Sequence, residues 1–214
     1  MMPNFVQKAR KLYTLNSVPG EKPFNENLKK FDGKEYREWD PKRSKLAAAL
    51  LKGIKETGIK QDSTILYLGA AHGYTCSFIS DISKNGKIFA LDFAPRVVRD
   101  LVYLSEHRKN ICPILGNANQ PETYFPKIGQ LVDIVYMDIA QKNQVEIFLK
   151  NIRLFLKKDG YGLLALKARS INVALKPEKI FKHARKELEK QIKVIEQKNL
   201  NPWQKDHCFF IVRK

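Results

Sequence analysis

From Ser63 onward, short runs that are apolar at nearly every position alternate with longer stretches whose apolar residues return every three or four positions. The runs are "STILYLG", "KIFALD", "NICPIL", "LVDIVYMD" and "GYGLLALKA", and the periodic stretches cover residues 74 to 83, 95 to 108, 142 to 156 and 177 to 191. Strands apolar on both sides, alternating with helices, predict an α/β fold whose parallel sheet is covered on both faces. "IKVIEQKNL" reads as a further strand. After the turn "NPWQKD", "HCFFIVRK" follows with no room for a crossover helix, so the last two strands are expected to form an antiparallel hairpin. In the helix over 177 to 191, the spacing turns Ile180, Phe181, Ala184 and Leu188 inward.

The texture changes near residue 40. Before it, β-prone pieces interrupted by Pro, Gly and Asn predict a small N-terminal β-rich subdomain over residues 1–40, and residues 41–214 form the main domain. "DPKRSKLAAALLKGIKE" opens the main domain as a helix with Asp40 as cap, Pro41 in the first turn and Leu46, Leu50 and Ile54 on one face.

Ligands of open α/β sheets bind outside the carboxyl ends of the parallel strands. The residues ending those strands, Gly69, Asp92, Gly116 with Asn117, Asp138 and Lys167, should therefore share one edge. An antiparallel last strand starts at that edge, which adds His207. The loop in "LYLGAAHGYTC" has Gly69-x-x-x-Gly73, with Ala71 where a dinucleotide fingerprint carries its second glycine, so a pyrophosphate is disfavoured. Asp92 lies about 20 residues beyond the loop, where a carboxylate can accept from both hydroxyls of a ribose. It could equally cap the helix at "APRVVRD". Phe93 is placed to lie against a purine and "GNA" at 116 to 118 to meet its edge. S-adenosylmethionine fits a ligand with ribose and adenine but no phosphate.

Composition narrows the partners. With 39 Lys and Arg against 22 Asp and Glu, the net charge is +17, more than solubility requires, which points to a polyanion such as nucleic acid. The basic residues are spread along the chain and so decorate a folded surface, although a merely solvated lysine-rich exterior is the competing reading. Three cysteines without C-x-x-C spacing predict buried free thiols, with neither zinc nor disulfides. No apolar run is long enough for a membrane span and the start has no signal-peptide core, so the expected location is cytoplasmic.

The segments "EYREWDPKRSKLAAAL", "LYLGAAHGYT", "PILGNANQP", "YMDIAQKNQVEIFLKN" and "LLALKARSINV" resemble the fibrillarin family in order and spacing, from about residue 10 to the end, in its short form without a Gly/Arg-rich tail. The resemblance implies a Rossmann-like class I S-adenosylmethionine-dependent methyltransferase sheet and an RNA 2′-O-methyltransferase acting on rRNA and tRNA within box C/D guide ribonucleoproteins. Its implied partners are a guide RNA, a Nop-domain scaffold protein and a kink-turn-binding ribosomal-like protein; self-association stays open. It also assigns residues. Tyr74 and Thr75 match a Thr-Thr at the methionine portion of the cofactor, Asp92 and Phe93 a Glu-Phe at ribose and adenine, and Asn117 and Ala118 an Asp-Ala at adenine. Asp138, Ile139, Ala140 and Gln141 match the segment beside the reactive methyl, while Gly69 and Ala71 belong to the loop. The family's catalytic set maps to Lys45, Asp138, Lys167 and His207. His72, Tyr74, Asp92 and Asn117 depart from the usual Ser, Thr, Glu and Asp.

Methyl transfer to a ribose hydroxyl needs in-line approach and loss of the hydroxyl proton, so a positioned base or cation is required. Lys167 is expected to activate the hydroxyl and Asp138 to orient it, with Lys45 and His207 completing the rim. A lysine ending the apolar run "GLLALKA" is costly without a partner; Lys45, in a helix's first turn, could simply be solvated, and His207 could merely start a strand. Three alternatives stay open: a stand-alone RNA or small-molecule O-methyltransferase, an inactive RNA-binding subunit, and an NAD-linked oxidoreductase.

Overall fold

The computed structural model describes residues 4–214. Residues 1–3, which the expected N-terminal subdomain includes, lie outside the described residues. Strands β1 (Phe5–Lys8), β2 (Lys11–Leu15), β3 (Leu28–Phe31) and β4 (Lys34–Trp39) form a separate antiparallel sheet in the order β1-β2-β4-β3. After α1 (Lys45–Leu51), strands alternate with helices: β5 (Thr64–Leu68), α2 (Tyr74–Ile82), β6 (Lys87–Asp92), α3 (Pro95–His107) and β7 (Ile111–Leu115). The chain continues through α4 (Phe125–Ile128), β8 (Val132–Met137), α5 (Gln144–Phe155), β9 (Leu156–Lys167), α6 (Ala168–Ile171) and α7 (Pro177–Glu189) to β10 (Lys193–Asn199) and β11 (His207–Arg213).

The seven-stranded sheet has the order β10-β11-β9-β8-β5-β6-β7, parallel from β9 through β7. The hairpin is as the chain length requires: β11 lies between β10 and β9 and runs antiparallel to both. Both faces are apolar. Ile65, Tyr67, Ala90, Tyr136 and Phe209 pack toward α1, α2 and α3, while Leu66, Leu68, Leu91, Met137 and Phe210 pack toward α5 and α7. Ile180, Phe181, Ala184 and Leu188 are the buried face of α7, as their spacing predicts.

The first helix starts later than expected. Asp40 does not cap it: its Oδ1 takes the Lys42 N–H at 2.8 Å in a tight turn. Ser44 is the cap, its Oγ accepting from Ala47 N at 3.2 Å, so Lys45 is the first helical residue. The helix is short because Gly53, at φ +85°, turns the chain away.

The N-terminal sheet is fastened to α2. Leu12 and Trp39 enter the core, with Trp39 stacked on Phe78 at 5.1 Å. Beside them Arg37 reaches Glu26 at 2.5 Å and Asp81 at 2.8 Å, and Arg108 reaches the other oxygen of Asp81 at 2.5 Å. These groups are almost entirely removed from solvent. Thr14 and Ser17 add hydroxyl bonds to Asp81 at 2.8 and 2.7 Å, so its buried carboxylate is fully partnered. The three cysteines are free, with Cys76 and Cys208 buried. Burial pushes both thiols up to about 12, which leaves them unreactive.

Candidate active site

The order of strands reverses at β5, which pairs with β6 on one side and β8 on the other, and a cleft opens beyond their carboxyl ends. Its volume is about 440 Å³, and its wall includes Gly69, Ala71, Asp92, Phe93, Asn117, Ala118, Asp138, Ile139, Ala140 and Gln141. Gly69 is what allows the strand tips to close up: it sits at φ +79°, and a Cβ there would lie 2.4 Å from the Asp138 carbonyl oxygen. The Asp138 N–H donates to Leu68 O at 3.0 Å, which holds that segment against β5.

Asp92 serves the loop as well as the cleft. Its Oδ2 accepts from the Ala71 N–H and its Oδ1 from the Ala94 N–H, each at 3.1 Å, which fixes Ala71 at φ +49°. Asp92 does not cap α3, whose N-cap is Ala94 without a side-chain cap bond, and each of its oxygens keeps a second lone pair for the cleft. The Ala71 amide, which a pyrophosphate would otherwise use, is taken. Phe93 presents an exposed ring, 71 % accessible, at the cleft mouth.

Two residues expected at the cofactor are not brought to the cleft. Gly73, at φ +87°, sets the phase of α2 so that Tyr74 faces the N-terminal sheet. There its ring meets Phe24 at 5.3 Å and the Arg43 guanidinium at 4.1 Å, and its hydroxyl accepts from Asp40 N at 3.1 Å. Burial raises the Tyr74 hydroxyl to about 12. Thr75 is buried and donates to Ser44 Oγ at 3.0 Å, so it braces the residue that precedes Lys45.

The four rim residues do converge. Lys45 Nζ lies 3.0 Å from Asp138 Oδ2, with both side chains partly open to solvent. His207 stands opposite Lys167 in the register of β11 and β9. Burial lowers the His207 imidazole, the Lys205 carbonyl at 2.7 Å opposes that shift, and Lys45, Asp138 and Lys167 are all close enough to act on it. The net shift favours the neutral imidazole. Asn119, Asn143 and Ile147 also line the cleft, and sequence reasoning missed them because the loops after β7 and β8 place the two amides there and the first turn of α5 places Ile147.

The cleft has a definite electrical character. It holds two carboxylates, Asp92 and Asp138, and the amides of Asn117, Asn119, Gln141 and Asn143; among the described residues no lysine or arginine lines it, and Lys45 reaches Asp138 from the rim. In a chain of net charge +17, that arrangement favours a ligand that is cationic and rich in hydroxyl or amine donors.

The fibrillarin family model matches residues 2–214. The chain belongs to the fibrillarin family. A Thermococcus onnurineus relative, a fibrillarin-like rRNA/tRNA 2′-O-methyltransferase, is 48% identical over 96% of this chain and 91% of its own length. The crystal structure of Aeropyrum pernix fibrillarin in complex with natively bound S-adenosyl-L-methionine has a TM-score of 0.86 and 43% identity, covering 94% of this chain and 88% of that one. A fibrillarin/Nop5p complex contains a chain with a TM-score of 0.90 and 40% identity, covering 99% of this chain and 98% of that one. The cleft and rim of this chain occupy the carboxyl edge of the parallel strands.

Proposed function

We infer that the chain is an S-adenosylmethionine-dependent rRNA/tRNA 2′-O-methyltransferase and the catalytic subunit of a guided ribonucleoprotein. One observation carries the reading: a cleft lined by Asp92 and Asp138 opens onto the rim of Lys45, Asp138, Lys167 and His207. The residues fit the cofactor. Asp92 offers lone pairs to a ribose, Phe93 a ring face to adenine, Asn117 and Ala118 a polar edge, and Asp138 a negative charge toward a sulfonium.

When bound, S-adenosylmethionine supplies an electrophilic methyl group, whose bond to sulfur breaks as the ribose oxygen bonds to carbon, the electron pair remaining on sulfur. Lys167 takes the proton of the 2′-hydroxyl when neutral and steadies the developing oxyanion when charged. Asp138 orients the hydroxyl and is itself held by Lys45. His207, half-buried and shifted toward its neutral form, closes the rim.

Target choice rests on base pairing with a box C/D guide RNA, held by a Nop-domain scaffold and a kink-turn-binding protein. The likeness to a chain of the fibrillarin/Nop5p complex supports the scaffold. The test is a methylation assay with and without guide RNA and these proteins. Methylation confined to the guided position of the complete particle is expected. Methylation by the protein alone would favour a stand-alone enzyme, and failure to bind S-adenosylhomocysteine an inactive subunit.

A further inference from the structure

Lys167 ends a strand that has lost a neighbour on one side. The parallel pairing of β8 with β9 ends at Met137 and Leu164, because the chain beyond Met137 leaves the sheet to form the cleft wall. β9 runs three residues further with β11 alone on its other side, where Cys208 pairs with Leu166 and His207 with Lys167. There the Ala168 N–H donates to Asp206 O at 3.0 Å. Peptide groups alternate in direction along a strand, so the N–H and C=O of Lys167 point away from β11, into the gap. Left bare and buried, they would be costly.

Gln144 fills that gap. Its Oε1 accepts from the Lys167 N–H at 2.9 Å and its Nε2 donates to the Lys167 carbonyl at 3.1 Å, so one side-chain amide stands in for a missing strand. It is fully buried, and it opens α5 directly after the segment that gives the cleft Asp138, Ile139, Ala140, Gln141 and Asn143. A buried group hydrogen-bonded at both ends to the backbone beneath the proposed activating lysine has little freedom to move.

We propose that Gln144 is a positioning residue for methyl transfer, fixing the peptide of Lys167 relative to the cleft wall that carries Asp138. The proposal rests on the role given to Lys167 above. Gln144 touches neither cofactor nor ribose; it acts through Lys167 alone.

The experiment compares Gln144→Met, Gln144→Glu and Lys167→Ala in the assembled guide particle by single-turnover methyl transfer, with S-adenosylhomocysteine affinity measured in parallel. Gln144→Met, similar in size but without hydrogen bonds, should slow transfer roughly 10- to 100-fold while leaving affinity unchanged. A buried carboxyl favours its protonated form, which can accept and donate as the amide does. Gln144→Glu should therefore recover rate relative to Gln144→Met as the pH falls, a trend that loss of packing does not produce. If Gln144→Met does not fold, the rate of Gln144→Glu relative to the unsubstituted protein should rise on acidification, and a flat ratio overturns the proposal. Full rates for both Gln144 variants beside an inactive Lys167→Ala would also overturn it. A full rate for Lys167→Ala would instead remove the reading on which it rests.

Discussion

Two clusters of charge, one where α2 meets the N-terminal sheet and one at the carboxyl edge of the main sheet, are built to opposite rules. At the seam with the N-terminal sheet, Asp81 is buried and takes bonds from Arg37, Arg108, Thr14 and Ser17, leaving no acceptor idle. At the carboxyl edge of the main sheet, Asp138 has Lys45 for a partner, is partly open and faces a cleft. A saturated carboxylate can only hold; one with spare lone pairs beside a cleft can act. Charge alone does not separate the two, whereas saturation and access do.

Breaking the acting cluster should produce the largest effect. Asp138→Ala is expected to lower single-turnover methyl transfer by roughly 10²- to 10⁴-fold, with a melting temperature close to that of the unsubstituted protein. Breaking the holding cluster should do the reverse. Asp81→Asn leaves two buried guanidinium groups short of a counter-charge, so about 3–5 kcal/mol of stability should be lost, read as a melting temperature lower by roughly 10 °C. The rate per folded molecule should not change.

The holding cluster also has a pH signature. Burial by itself would raise the Asp81 carboxyl, but Arg108, Arg37 and Ser17 outweigh it and hold the pKa below the ordinary 3.8. Arg108, drawn downward by burial, keeps its charge throughout. A carboxylate depressed in the folded state contributes stability above its unfolded pKa and loses it as the pH falls through the folded value. Acid unfolding of the natural protein should therefore steepen below pH 3.8, and Asp81→Asn should lack that component.

Smaller effects sharpen the contrast. Phe93→Ala removes an exposed ring at the cleft mouth, so calorimetry should show S-adenosylhomocysteine binding weakened by about fivefold with stability unchanged. His207 has a lowered pKa, so between that value and the ordinary 6.5 the unfolded chain binds more protons and stability falls as the pH drops. His207→Gln should flatten that slope slightly, as seen in melting temperatures taken across the range.

Part of the acting site was legible in the sequence because strand ends are legible: Asp92, Asp138 and Lys167 each follow an unbroken apolar run, and topology carries them to one edge, whereas Lys45, in a helix's first turn, came only with the family resemblance. Tyr74 was misleading, since the direction it faces depends on the left-handed turn at Gly73 and on an N-terminal sheet waiting to receive the ring. The holding cluster left no local trace. Arg37, Asp81 and Arg108 are far apart in the chain, and Asp81 reads as the outer face of a helix until the N-terminal sheet covers it. The start of α1 was missed for a related reason, as Asp40 and Ser44 both suit a cap and only the Asp40 turn decides between them. Gln144 likewise resembles an ordinary helix start, and its use appears only where β8 parts from β9.

The central claim is that a lysine and a carboxylate at the sheet edge drive methyl transfer. Its most direct test is single-turnover transfer by Lys167→Ala within the guide particle, with cofactor binding measured alongside. The account predicts a fall of roughly 10²- to 10⁴-fold with binding intact; a rate near that of the unsubstituted protein would contradict it.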